Sequence, residues 1–157
     1  VKVPVIGKRL LIGVFFLSIV GFPLSAWTLL GVSARNLTLA FGTKPTNTWL
    51  PPQATVIVND GTELENLAAK ISQLTAGGNT WALSADTNGV DSIRAQWSIS
   101  SESGPWTDVS AYDTDFPIKS SLPASDSINF WLRIQTPTTT ISYDEHSATL
   151  TVMASLP

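Results

Sequence analysis

Cysteine is absent from this chain, histidine and methionine occur once each, and only 13% of the 157 residues are charged. Without cysteine there is no disulfide frame, no thiolate metal site and no lipidated thiol to serve as a tether. The single histidine, His146, has Asp144 two positions before it and many serines elsewhere, which are the parts of a Ser-His-Asp arrangement. No Gly-x-Ser-x-Gly elbow accompanies them, however, and a histidine in a turn before a strand reads as solvated. Phosphate-loop and zinc-ligand spacings are also missing. Asp86, Asn88 and Asp91 are oxygen ligands at close spacing, and Asp113 and Asp115 form a second pair. Neither group matches a calcium-loop pattern, and beside Gly89 the first set reads as ordinary turn residues. The expectation is a non-enzyme with no cofactor and no metal.

What the chain does have is one long stretch without charge. Residues 10–30 read LLIGVFFLSIVGFPLSAWTLL, and the charge-free run continues to Ala34. At about 1.5 Å per residue these 21 residues reach about 31 Å, the depth of a bilayer's hydrocarbon core. Lys2, Lys8 and Arg9 precede the run, which predicts a cytoplasmic N-terminus and an outer body after residue 34. Pro23 predicts a kink, because it removes the hydrogen bond to the Ile19 carbonyl; Ser25 is placed to compensate. Gly21 and Ser25 form a small-xxx-small notch for a neighbouring helix, and Trp27 sits where the outer interface is expected. The competing reading is a cleaved secretory signal, with Val32-Ser33-Ala34 as its cleavage-like site. The apolar run is longer than the 7–15 residues usual for such a signal, so a retained single-pass anchor in the cell membrane is the expectation. Residues 1–34 are thus read as stub and anchor, and residues 35–157 as one extracytoplasmic domain.

That outer domain carries six basic residues against all 12 acidic ones, a formal charge of −6. Such a balance argues against nucleic-acid binding and against lying on anionic lipid. Its apolar residues alternate in short runs. Leu37, Leu39 and Phe41 share a face in residues 36–41, where Asn36-Leu37-Thr38 is also a glycosylation sequon, read as a chance occurrence. Residues 43–53 hold three prolines and form an irregular crossover, in which Trp49-Leu50 is either a plug beneath the sheet, the favoured reading, or an exposed contact. Residues 54–59 read as a strand closed by Asp60-Gly61, a hairpin signal. Residues 62–74 fit a helix, with a Thr62–Glu65 capping box, or a strand with Leu67, Ala69 and Ile71 on one face; the surrounding strands favour the second.

Further on, Trp81 and Leu83 point inward from one strand, and Ile93, Ala95, Trp97 and Ile99 from the next, with Arg94, Gln96 and Ser98 facing out. Phe116 and Ile118 flank Pro117, which implies an edge strand. Ile128, Phe130, Leu132 and Ile134 face in, while Asn129, Trp131, Arg133 and Gln135 face out; Ala148, Leu150, Val152 and Ala154 line the last strand. Six tryptophans are a high count for this length. They predict an aromatic core, aromatic docking surfaces, or both. Trp49, Trp106, Trp131 and Arg133 are the candidate partner contacts, with Trp131 foremost because it lies on the polar face of its strand.

The stretch from Trp97-Ser98 through Gly104-Pro105-Trp106-Thr107, residues 130–138 and residues 143–152 resembles extracytoplasmic immunoglobulin-like domains of bacterial and archaeal envelope proteins. The resemblance covers roughly residues 54–154 and implies an antiparallel β-sandwich outside the membrane, with no catalytic residues and a strand for residues 64–74. The fold class expected is therefore mainly β, an immunoglobulin-like sandwich after one transmembrane helix. Three functions follow. The first is a non-catalytic accessory subunit, partnered by other membrane-protein subunits and the lipid bilayer, whose outer body braces a larger complex. The second is a self-assembling, pilus-like filament subunit, although Lys8 and Arg9 would be costly to bury in a fibre core. The third is a glycan- or protein-binding module using Trp131, Trp106 and Tyr112 as stacking platforms.

Overall fold

The computed structural model describes residues 29–35, 45–76, 78–142 and 145–157. The anchor residues Gly21, Pro23, Ser25 and Trp27 and the expected strand at 36–41 lie outside these. Among the described residues no helix is long and apolar enough to cross a membrane.

The fold is mainly β, with two sheets. The larger has the order β1 (Val32–Arg35), β2 (Gln53–Asn59), β9 (Ser127–Gln135), β6 (Ser92–Ser98), β5 (Asn79–Leu83) and β4 (Leu74–Ala76), and β7 (Thr107–Asp108) also pairs with β6. The smaller has the order β10 (Leu150–Ser155), β3 (Glu65–Ile71), β8 (Phe116–Leu122). Every pairing is antiparallel except β5 with β6. One edge of β6 is therefore divided: β5 takes Ser92 and Ile93, and β7 takes Gln96 and Trp97.

The inner faces share a single apolar core. Ile57, Ile93, Ala95, Phe130, Leu132 and Ile134 come from the larger sheet, and Leu67, Ala69, Ile71, Ile118 and Leu122 from the smaller. These are the residues that period-two alternation places inward. The ring of Trp97 stacks on Phe116 at 5.6 Å and on Phe130 at 6.2 Å, joining the two sheets. Pro117 falls in β8, which pairs only with β3 among the described strands, an edge position where a residue without an N–H is tolerated.

Residues 65–71 are a strand. Leu67, Ala69 and Ile71 are buried while Asn66, Ala68 and Lys70 are half-buried, and β3 is hydrogen-bonded on both sides, to β10 and β8. Two ladders outweigh the local preference for helix. The expected capping residue, Glu65, is instead fully buried, and its Oε1 accepts the Gly31 N–H at 2.6 Å.

The hairpin expected at Asp60-Gly61 does not form. Strands β2 and β3 belong to different sheets, and the turn carries the chain between them. Its N–H groups serve another segment: those of Asp60 and Gly61 donate to the Gly31 carbonyl at 3.0 and 3.2 Å, and that of Thr62 donates to the Leu29 carbonyl at 2.9 Å. Asn59, fully buried, donates from Nδ2 to the carbonyls of Glu63 and Leu122 and accepts the Gly61 N–H. The described chain is fastened to this turn from Leu29 onward, and β1 spans the expected boundary at residues 34 and 35. The 19 uncharged residues 10–28 are enough in length for about 28 Å of helix.

Phe130→Ala, which empties the centre of the core, is expected to cost about 3–5 kcal/mol in denaturant unfolding of the full chain in detergent micelles. Ile141→Ala, at a side chain 84% exposed, should change the same measurement by less than about 0.5 kcal/mol. A Cβ on Gly61 would meet both the Leu29 carbonyl oxygen and Glu65 Oε1, so Gly61→Ala should abolish amide-exchange protection at Gly31 and Thr62.

Candidate functional site

The outer face of the larger sheet brings together three of the four candidate contact residues. Within β6 and β9 the outward positions pair as Arg94 with Gln135, Gln96 with Arg133, and Ser98 with Trp131. Across the next ladder Gln96 pairs with Asp108, so Trp106, two residues earlier, stands on the same face.

Trp49 reaches that face through a register slip. Gln53 pairs with Leu132, but Trp49 bridges Gln135, so one extra residue of the crossover fits between the two pairs. The interruption falls at Pro51-Pro52, where neither residue has an N–H to give to the ladder. A slip of one residue exchanges faces. Leu50 therefore points inward and is buried, while Trp49 points outward and is half-buried. The pair expected to act together as a plug divides its work: Leu50 plugs and Trp49 covers.

Arg133 is held between two of these rings. Its guanidinium carbon lies 4.3 Å from the Trp49 ring centroid and 4.2 Å from that of Trp106, and Arg94 lies 5.6 Å from Trp49. Each close contact of this type is worth about 0.5–2 kcal/mol, increasing with desolvation. Nε and Nη2 of Arg133 both donate to Gln96 Oε1, at 2.9 and 2.5 Å. The same amide donates from Nε2 to Asp108 Oδ1 at 2.9 Å, and Arg94 grips Asp108 with two hydrogen bonds at 2.7 and 2.9 Å. Gln96, expected to face solvent, is buried because this layer lies over it, and Ser98, expected to do the same, is buried opposite Trp131. No hydrogen bond within the described residues uses Arg133 Nη1.

The loop before β7 is shaped around Trp106. Gly104 has a φ of +96°, and a Cβ there would come within 2.7 Å of Trp106 Cδ1. Ser101 closes the loop, donating from Oγ to the Gly104 carbonyl at 2.8 Å and accepting the Gly104 N–H on its own carbonyl at 3.1 Å. The Gly-Pro-Trp spacing noticed in the sequence thus exists to lay an indole along the sheet.

Charge follows from the geometry. The bidentate contact with Arg94, aided by the Gln96 amide, holds the Asp108 carboxyl below its ordinary value, against a smaller opposing effect of burial. Arg94 moves upward for the same contact. Arg133 moves downward, first because it is desolvated and second because Arg94 is near. Two guanidinium groups thus share one carboxylate in the hydrogen-bonded network, and Asp86 also acts on Arg94.

No protein-family model matches the chain, and no curated protein matches it. The reading of the site rests on its geometry.

Other candidates are placed elsewhere. Trp131 lies on the same face, half-buried between Ala54 and Ser98, without a ring partner among the described residues. Tyr112 is apart from Trp106 and Trp131: it packs against the core, donates its hydroxyl to the Trp81 carbonyl at 2.9 Å, and has its pKa pushed up to about 12 by burial. His146 is not a solvated turn residue; it is half-buried, stacked on Trp81 at 3.8 Å with 14° between the planes, while Asp144 lies outside the described residues. Asn88 donates to the Thr136 carbonyl and to Asn47 Oδ1, and Asp91 accepts the Ile141 N–H, so both staple loops. Among the described residues no group of three or more histidine or acidic side chains is placed to hold a metal.

The lowered Asp108 pKa has a definite sign. Its contribution to stability is present above the ordinary carboxylate value of 3.8 and is lost as pH falls through the lower folded value. Both partners are about a quarter to a third exposed, so the contribution is at most about 1 kcal/mol. Asp108→Asn is expected to be less stable than the parent at pH 7 by up to that amount. The gap should close when both are unfolded by urea at acid pH.

Proposed function

We propose that this chain is a non-catalytic subunit, tethered in the membrane by its apolar N-terminal stretch, whose outer body docks on and braces a larger membrane complex. The observation that carries this reading is Arg133, fixed between Trp49 and Trp106 on a half-exposed sheet face with Nη1 left unused among the described residues. Tryptophan and arginine are the residue types that most often dominate binding energy at protein interfaces. Here they are already locked by Gln96 and Asp108, which reduces the entropy lost on association. The open Nη1 suits a carboxylate or carbonyl of a partner. Within this proposal the body is an immunoglobulin-like domain of the kind found in prokaryotic envelope proteins. Two facing sheets joined through Trp97, Phe116 and Phe130, and held without a disulfide, support that likeness. The separation of Tyr112 from Trp106 and Trp131 weighs against a three-ring glycan platform.

Native electrophoresis of a mild detergent extract, with mass spectrometry of the band, tests the proposal. The chain is expected to travel with other membrane proteins, and Arg133→Ala is expected to release it while its circular dichroism stays unchanged. A chain that runs alone in the parent form would overturn the reading. A ladder of the chain by itself would point to the filament instead.

A further inference from the structure

The strand registers sort the exposed large apolar side chains by height. Val32 pairs with Asn59, Glu65 with Leu122, and Ser155 with Asn66, so these residues lie at one end of the body. Leu29, Leu30, Leu64 and Leu156 lie there, at 59, 40, 48 and 52% exposure, each within three residues of one of those positions in the chain. The other two, Val90 and Ile141, sit at the opposite end, beside the start of β6 and beyond the end of β9. Four of six are thus collected where the apolar run enters the body.

There is no slack at that entry. Leu29 exchanges two hydrogen bonds with Thr62, its N–H to Oγ1 at 3.1 Å and its carbonyl accepting the Thr62 N–H at 2.9 Å. Gly31 is held by Asp60, Gly61 and Glu65. The strap at residues 29–31 is therefore fastened to the turn at 60–65 from its first described residue. The exposed Leu64 is thereby held at the same end as the strap.

We infer that this end of the body rests directly on the lipid bilayer, with Leu29, Leu30, Leu64 and Leu156 in the interfacial layer. The inference rests on the tethered reading above and adds to it a fixed orientation. Continuity with the apolar run is what names lipid as the occupant. Asp60, Glu63 and Asp126 are exposed at the same end, and the basic residue nearest by register, Lys119, lies opposite Leu67, so zwitterionic headgroups suit this surface better than anionic ones. Standing upright, the body would carry the Trp49–Arg133–Trp106 face along its side, where a neighbouring subunit's outer domain can meet it.

The absence of cysteine makes the test direct. Leu64→Cys, Leu156→Cys and Ile141→Cys are each labelled with an environment-sensitive fluorophore in the full chain, reconstituted into phosphatidylcholine vesicles containing lipids spin-labelled at the headgroup or high on the acyl chain. The first two sites are expected to lose fluorescence to the nitroxides and to emit further to the blue, with Ile141→Cys unaffected. Flotation of the vesicles runs in parallel. Protein that floats, with no quenching at Leu64 or Leu156, would overturn the inference and leave the tether standing. Protein that does not float would overturn both. Blue-shifted emission without quenching would mean that another protein covers this end, and would also overturn the inference.

Discussion

Between Gln53 and Trp49 the chain slips by one residue against β9, and the outer face of the large sheet depends on that slip. In an unbroken ladder Trp49 would share the inward parity of Thr55 and Ile57, and a bulky indole would compete with Leu132 and Ile134 for the core. Two consecutive prolines make the break inexpensive, because neither has a hydrogen-bond donor to lose. Beyond them the ladder resumes, with the Leu50 N–H donating to the Ile134 carbonyl at 2.8 Å and the Thr136 N–H to that of Thr48 at 3.0 Å. The indole is thereby carried outside, where it lies 4.3 Å from the Arg133 guanidinium and 5.6 Å from that of Arg94.

From that point the face organises itself in layers. The sheet supplies Gln96, whose amide can satisfy an arginine at one end and an aspartate at the other. The guanidinium groups lie above, and the indoles cover Arg133 from two sides. An isolated exposed ion pair contributes little, since water and salt screen it. The value of the network lies in orientation: six side chains fix one another's rotamers, and Gly104 leaves room for the Trp106 ring. A surface of this kind is stiff before any partner arrives.

The opposite requirement governs the end where the apolar run enters. There the stabilising contacts are backbone hydrogen bonds around a buried asparagine and a buried glutamate. Asn59 satisfies both ends of its amide, and Glu65 accepts the Gly31 N–H in a space that excludes a Cβ on Gly61. Glu65 Oε2 has no hydrogen-bond partner within the described residues, which places the corner among the more costly pieces of the fold. The return is a rigid joint between the strap at 29–31 and the β2–β3 turn. Stiffness at the joint and stiffness of the side face together define a body that presents one surface in one orientation.

Much of this was legible in the residues alone. Alternation in β6, β9 and β3 identified the inward rows through Ile93, Phe130 and Leu67, because a strand's period of two is a local property. Pro117 marked an edge for an equally local reason, its missing donor. Trp106 stood out by chemical type and Arg133 also by its place on the polar face of its strand, but their meeting did not, since they are brought together by β7, β6 and β9 pairing across the sheet. The burial of Gln96, the outward turn of Trp49, and the crossing at Asp60-Gly61 between sheets were hidden for the same reason. A residue pattern determines which sides of a strand differ; what comes to lie over each side is decided only when distant strands choose their neighbours, and the energy of that choice is shared among all of them.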